Sequence, residues 1–188
     1  MEAVFKKAKA KSKSQLQAQR TKIDGCICRN NVVTPTHIYN QEKYCTMIAF
    51  PMDDQQTISN IDKAMRAAFE QNRKKFSENG KELAYEEVVK PNKEDYDIPS
   101  FYFLRATATD QPDIIDGHKK PLQLTSEPVF GARAKVSVLF IATKLGGIPR
   151  IYADLQNIQL IKNQNYLEDI NNFTAKDDFD EISDDEID

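Results

Sequence analysis

Three cysteines and one histidine are the side chains of this sequence that could hold a structural zinc ion. Cys26 and Cys28 are two residues apart, so their side chains share a face if the stretch is a strand. His37 and Cys45 would complete a set of four ligands. Structural zinc sites usually leave about two to four residues between paired cysteines. Only Ile27 separates Cys26 from Cys28. The spacing therefore favours buried thiols, and an odd number of cysteines fits a reducing compartment better than a disulfide framework.

Four acidic residues in the middle of the chain could bind a divalent metal, as in a nuclease. These are Asp110, Asp113, Asp116 and Glu127. Turns favour Asp for backbone reasons alone, and no Glu-x-Lys or His-containing partner motif accompanies these residues. The sequence also has no nucleophile elbow, phosphate-cradling glycine loop or zinc-protease helix. We expect a protein that is not an enzyme and that needs no metal or other cofactor, with a nuclease that uses these acids as the alternative.

Basic and aromatic residues are the other functional candidates, because cations bind a phosphate backbone and rings stack on any base. The basic candidates lie near predicted loops and strand ends, and they are Arg105, Lys119, Lys120, Arg133, Lys135, Lys144 and Arg150. The aromatic candidates are Tyr39, Tyr44, Tyr102, Phe130 and Tyr152. Alternation alone does not tell which of these rings face the core.

Strands predicted from alternation must position these residues. Residues 134–142 (AKVSVLFIA) carry β-branched and aromatic residues in two-residue alternation and predict a well-buried strand. Gly146-Gly147 separates this strand from a second apolar-rich run at 150–162, which predicts a β-hairpin. Residues 101–108 form a third predicted strand, which ends at a polar turn cluster. Strands of this length need closing into a barrel or covering on one face, because open edges invite aggregation.

Weaker patterns fill the rest of the central part. Residues 25–34 and 44–50 have the composition of strands, and a short strand is expected within 85–89. The period changes to that of a helix over residues 57–79, where Ser59 and Asp62 have the spacing of a capping box.

Charge is segregated between the two ends of the chain. The net charge is only -3, yet residues 1–22 hold seven Lys or Arg and one acid, whereas residues 163–188 hold ten acids and one Lys. Neither end has enough apolar residues for a core, so we expect a basic arm at 1–22, one domain at 23–162 and a disordered acidic tail at 163–188. The arm is either a phosphate-binding segment or a solubilising tail. No run of 18 apolar residues is present, so we expect a soluble intracellular protein without a membrane partner.

The chain resembles the single-stranded-DNA-binding proteins that tailed bacteriophages encode for their own replication. The resemblance lies in residues 103–112 (FLRATATDQP), 131–140, Gly147-Ile148 with 154–159, and the acidic end. It implies an OB-type barrel with an inserted helix and an acidic C-terminal tail. We therefore expect a mainly β protein, with a five-stranded OB-type barrel, one inserted amphipathic helix and disordered charged tails.

The resemblance also implies a function. We expect sequence-independent binding of single-stranded DNA in phage DNA replication, recombination or repair, in the cytoplasm of the host cell. The tail would compete with DNA and recruit a partner such as DNA polymerase or helicase-primase. The expected partner-binding residues are Asp177, Asp178, Phe179, Asp180, Glu181, Ile182, Asp184, Asp185, Glu186, Ile187 and Asp188.

Two features bear on partners. Tails of this family often end in an aromatic residue, whereas this chain ends in Ile187-Asp188, so we do not expect an aromatic contact through the terminal residue. Apolar residues interrupt the acids at Phe179, Ile182 and Ile187, which favours a docking role over pure solvation. A homodimer is compatible with the sequence. A phage nuclease with an Asp/Glu metal site is the first alternative. A virion or assembly protein, whose tails contact other subunits, is the second.

Overall fold

The computed structural model describes residues 13–38, 40–76, 88–91, 100–145 and 148–167. These residues form two helices and seven strands in one sheet, whose order is β3-β4-β2-β1-β6-β7-β5. The elements are α1 (Lys13–Ala18), β1 (Arg20–Ile38), β2 (Gln41–Pro51), α2 (Gln55–Phe76), β3 (Val89–Pro91), β4 (Phe101–Ala108), β5 (Asp113–Ile115), β6 (Ala132–Leu145) and β7 (Ile148–Lys162). No helix in the described part of the chain is long and apolar enough to cross a membrane.

The sheet closes into a five-stranded barrel of β1, β2, β4, β6 and β7. Closure comes from a parallel pairing between β4 and β7, in which Ala106 is opposite Ala153 and Thr107 is opposite Asp154. The other neighbours in the barrel are antiparallel, and β6 and β7 form the predicted hairpin. This arrangement is consistent with an OB-type fold, so the predicted fold class is confirmed. Closure leaves the barrel strands without an open edge.

Alternate residues of the barrel strands point inward and form the main core. Ile27, Ile48, Leu104, Val136 and Ile158 are completely buried there. Burial of each such side chain stabilises the fold by about 1.5–3 kcal/mol.

Helix α2 follows β2 and covers the barrel with one apolar face. Ile61, Met65 and Ala68 are buried in the main core, and the helix packs chiefly against β6. Its first turn is capped by Asp54, whose Oδ1 accepts a hydrogen bond from the Thr57 amide at 3.0 Å. The capping box predicted at Ser59 and Asp62 is therefore wrong.

The folded part begins earlier than the sequence predicted. The predicted basic arm includes residues 13–22, but Lys13–Ala18 form α1 and Arg20 pairs with Leu139 at the start of β1. Gln19 is completely buried. A barrel strand needs only one apolar face, so outward-facing basic residues in this stretch do not prevent strand formation. Residues 1–12 of the predicted arm, residues 77–79 of the predicted helix and most of the predicted strand within 85–89 lie outside the described residues.

Candidate nucleic-acid interface

A second apolar cluster lies on the outside of the barrel, across β1, β2 and β4. In β4, Phe101 and Phe103 alternate with Tyr102 and Leu104, which belong to the main core, so the two phenylalanines point outward. Ala49 of β2 is the register partner of Phe103. We call this group the outer cluster, and it contains Cys26, Cys28, Ala49, Phe101, Phe103 and Leu167, with Met47 and Tyr166 packed against it.

The next outward row of the barrel carries two arginines. Met47 of β2 is the register partner of Arg29 in β1 and of Arg105 in β4, and both arginines are exposed. Ala106 of β4 pairs with Ala153 of β7 in parallel register. The residues that precede them, Arg105 and Tyr152, therefore lie side by side where the barrel closes. Tyr152 leaves 42% of its surface exposed. We call Arg29, Met47, Arg105 and Tyr152 the arginine row.

Acids also lie beside this row. Asp154 follows Tyr152 by two residues in β7, and it is half-buried. Burial raises the pKa of Asp154, the charge of Lys43 opposes that shift, and the charge of Asp110 adds to it. This part of the surface therefore carries Asp154 and Asp110 as well as the cations Arg29, Arg105 and Lys43.

A second group of cations borders the outer cluster on the β6 side. Arg133 is the register partner of Cys26, and its guanidinium lies 5.9 Å from the centre of the Tyr166 ring. Lys162 Nζ lies 5.4 Å from the same centre and donates a hydrogen bond to the Tyr166 hydroxyl at 3.1 Å. Lys162, followed by Arg133, lowers the pKa of Tyr166. Asp24 is 3.7 Å from Arg133 and 3.6 Å from Lys135, which leaves the group with an excess of positive charge.

Glu127 holds the loop that carries Phe130. Its carboxylate accepts hydrogen bonds from the amides of Val32 at 2.7 Å, Val33 at 3.0 Å and Thr34 at 2.7 Å, in an irregular part of β1. Phe130 remains 40% exposed. The loop is thus fixed to the barrel three residues before Phe130.

Gly131 fixes the other end of this loop. It has φ +78, a conformation that favours glycine, and a side chain there would collide with Asn165 Oδ1. Its carbonyl accepts a hydrogen bond from the Tyr166 amide at 3.0 Å. The chain that follows β7 is therefore attached beside Phe130 and Arg133.

Lys119 and Lys120 are exposed in a turn at the β5 edge. Asp116 Oδ1 accepts hydrogen bonds from the amides of His118 and Lys120, both at 2.8 Å. Gln159, the register partner of Lys135, donates a hydrogen bond from Nε2 to the Asp116 carbonyl at 3.2 Å. The two lysines therefore lie in the turn that follows β5, beside residues 157–159 of β7.

Two of the four acids considered for a metal site have other partners. Asp116 and Glu127 bind backbone amides, as described above. Within the described ranges, no group of three or more His, Cys, Asp or Glu side chains is placed to hold a metal ion.

The three thiols are buried, as the cysteine spacing indicated. Burial raises the pKa of Cys26 to about 11 and that of Cys28 to about 12. Burial also raises the pKa of Cys45, although Arg105 and Arg29 oppose the shift. These thiols are protonated at neutral pH and act as small apolar side chains.

The remaining candidates are dispersed. Tyr44 and Tyr102 are half-buried against the main core, and the Tyr102 ring lies 5.9 Å from that of Phe50. Arg150 is exposed on β7, opposite Thr143. Tyr39, the side chain of Lys144 and the expected partner-binding residues of the tail lie outside the described residues.

Sequence reasoning missed five residues of this face, namely Arg29, Phe101, Phe103, Lys162 and Tyr166. Alternation could have identified part of it, because Phe101, Phe103 and Arg105 occupy every second position of one strand. The predicted disordered tail at 163–188 includes Tyr166 and Leu167. Leu167 is only 2% exposed and the Tyr166 amide donates a hydrogen bond to the Gly131 carbonyl, so the prediction of disorder is wrong for these two residues.

Comparison with known proteins places the chain among phage proteins. The family model described as "Enterobacter phage Enc34, ssDNA-binding protein" matches residues 28–188. No curated protein sequence matches the chain significantly.

Solved structures share the fold. The single-stranded DNA-binding protein from bacteriophage Enc34 has a TM-score of 0.60 and 16% identity, with 78% of this chain and 82% of that chain covered. The same Enc34 protein in complex with ssDNA also has a TM-score of 0.60 and 16% identity, with 78% and 88% covered. For gp2.5, a single-stranded DNA-binding protein encoded by bacteriophage T7, the TM-score is 0.54 and the identity 13%, with 76% and 91% covered.

Proposed function

Because this chain belongs to the family of the Enterobacter phage Enc34 ssDNA-binding protein, we propose that it binds single-stranded DNA without preference for base sequence. The observation that carries the proposal is the arginine row, which places two exposed guanidinium groups and the exposed Tyr152 ring on one face. Cations bind the phosphate backbone, and a ring can stack on any base. The solved complex of the Enc34 protein with ssDNA supports the same function.

The second cationic group extends this face beyond the outer cluster. Arg133, Lys135 and Lys162 lie on β6 and β7, with Phe130 on the adjoining loop. A strand of DNA that crosses from the arginine row to this group would pass over the outer cluster. Lys119 and Lys120 would then contact the DNA only at the periphery.

The acidic end of the chain acts as a built-in competitor in this proposal. Residues 168–188 continue from Leu167, which packs in the outer cluster, and the preceding Tyr166 contacts Arg133 and Lys162. Acids tethered at that point have an effective concentration of roughly millimolar at the cationic face. DNA displaces them, and the released tail recruits replication partners such as DNA polymerase or helicase-primase. The protein acts in phage DNA replication, recombination or repair in the host cytoplasm.

Fluorescence anisotropy with labelled oligothymidine and a duplex of equal length, each with and without Mg²⁺, tests the function. We expect tighter binding of the single strand, because paired bases offer no free faces for stacking. Equal affinity for both DNAs would contradict the proposal. Gel analysis of the recovered DNA tests the nuclease alternative, which predicts cleavage that requires Mg²⁺.

A further inference from the structure

The outer cluster has an unusual composition for the outside of a small barrel. Phe101 and Phe103 point away from the main core, yet each is only 7% exposed. Among the described members of the cluster, Tyr166 and Leu167 are the two that do not belong to a barrel strand. The segment after β7 therefore contributes to the covering of two outward-facing aromatic rings.

Hydrogen bonds attach this segment to the loop that carries Phe130. The Val129 amide donates one to Asn163 Oδ1 at 2.9 Å, and the Tyr166 amide donates one to the Gly131 carbonyl at 3.0 Å. The Leu167 amide bonds within the segment, to Asn165 Oδ1 at 3.1 Å. The Tyr166 ring also lies against Arg133 and Lys162, two of the cations proposed to bind phosphate. One leucine side chain and a few hydrogen bonds stabilise such a contact by an amount similar to that of stacked bases. Replacement of the segment by stacked bases therefore changes the free energy little.

The charges around the rings indicate what would replace the segment. Phe103 shares an outward row with Ala49, Cys26 and Arg133, and the adjacent row contains Arg29 and Arg105. Apolar peptides gain nothing from three flanking guanidinium groups. A nucleotide has a flat base for the rings and a phosphate for the cations.

We propose that Phe101 and Phe103 form a base-stacking site that Leu167 covers in the DNA-free protein, and that a base of single-stranded DNA replaces Leu167. This inference rests on the proposed function. It differs from competition by the acidic tail, because the cover is apolar and is little affected by salt. Leu167 thus reduces affinity even where the acids are screened.

The first test is Leu167→Ala in the full chain, with Leu16→Ala as the matched control, since Leu16 is 37% exposed on α1. We expect Leu167→Ala to bind oligothymidine about 3- to 10-fold more tightly than wild type, in high salt as well as in low salt. The reason is that the stacking site is uncovered in a larger fraction of the protein. Leu16→Ala should leave the affinity unchanged. An affinity of Leu167→Ala equal to that of wild type in high salt would overturn the proposal.

A second variant tests the rings themselves. Phe103→Leu is made in the Leu167→Ala background, because Phe103 also contributes to the binding of Leu167 in wild type. Loss of one ring should weaken binding at least about 5-fold while the melting temperature confirms folding. Unchanged affinity would exclude stacking on Phe103.

Photocrosslinking of the wild-type protein requires no variant to fold. Oligothymidine with 5-iododeoxyuridine substituted at each position in turn is bound, irradiated and mapped by mass spectrometry. We expect crosslinks at Phe101 or Phe103, and crosslinks confined to other rings would contradict the site. If the wild-type protein fails to bind oligothymidine at all, the proposed function fails, whereas normal binding with crosslinks only elsewhere overturns this inference alone.

Discussion

Arg29 and Arg105 lie two strands apart on the same outward-facing row of the barrel. Both are register partners of Met47, and neighbouring strands are separated by about 4.8 Å, so their Cα atoms are about 10 Å apart. Burial raises the pKa of the Cys45 thiol, and the charges of Arg105 and Arg29 oppose this rise. Both guanidinium groups therefore lie near Cys45 of β2. Two cations at fixed spacing beside exposed Tyr152 are suited to an extended polyanion.

Glu127→Gln should destabilise the fold by about 1–3 kcal/mol, because an amide offers one acceptor oxygen where the carboxylate offers two to the amides of Val32 and Thr34. Urea denaturation measures the change in the free energy of unfolding. The matched control is Glu70→Gln, since Glu70 is an exposed helix residue 3.6 Å from Arg73. Equal effects of the two substitutions would show that the loop does not depend on the Glu127 carboxylate.

Asp54→Ala should cost about 1 kcal/mol of stability at pH 7 through loss of the α2 cap. Hydrogen bonds from Thr57 lower the pKa of Asp54, so its contribution is complete above the unfolded pKa of about 3.9. The contribution is lost as the pH falls through the lower folded pKa. Urea titrations of wild type and variant between pH 7 and pH 2 should therefore converge in acid. The neighbouring Asp53→Ala should have little effect at either pH, and a constant difference for Asp54→Ala would contradict the capping role.

Tyr152→Ala should weaken binding of oligothymidine by about 1–3 kcal/mol and leave the melting temperature nearly unchanged. Tyr102→Ala should instead lower the melting temperature, because its ring packs on Phe50 and the main core. Anisotropy and calorimetry on both variants distinguish the two roles. A loss of stability in Tyr152→Ala would assign Tyr152 to packing.

Removal of residues 168–188 should raise affinity for single-stranded DNA by roughly 10-fold in low salt, and the gain should disappear as salt screens the acids. The deletion begins after Leu167 so that the outer cluster stays intact. Stimulation of the replication partners should be lost. Unchanged or lower affinity in low salt would show that the tail is not a competitor.

The sequence predicted the barrel strands well because alternation reports which residues share a face. The hairpin of β6 and β7 and the strand β4 follow from apolar residues at every second position. A different difficulty arose at Arg29, where β1 has an irregular register between Ile27 and Arg29. Such a bulge shifts which residues of the strand point outward, and composition alone does not reveal the bulge.

Leu167 shows the other limit of local pattern. It is a single apolar residue at the start of an acidic stretch, so no periodicity identifies its environment. Its partners Cys26, Ala49 and Phe103 lie far away in the chain and meet only when the barrel closes. Long-range contacts of this kind have no counterpart in a window of sequence.

The salt dependence of single-stranded DNA binding tests the central claim most directly. Affinity for oligothymidine should be measured from low to high salt for wild type, for Arg29→Ala with Arg105→Ala, and for the control Arg73→Ala on α2, where the side chain is 71% exposed. We predict that the double variant binds more weakly and that its slope of log affinity against log salt falls by about one to two, while Arg73→Ala matches wild type. An unchanged slope in the double variant would show that DNA does not bind at the arginine row.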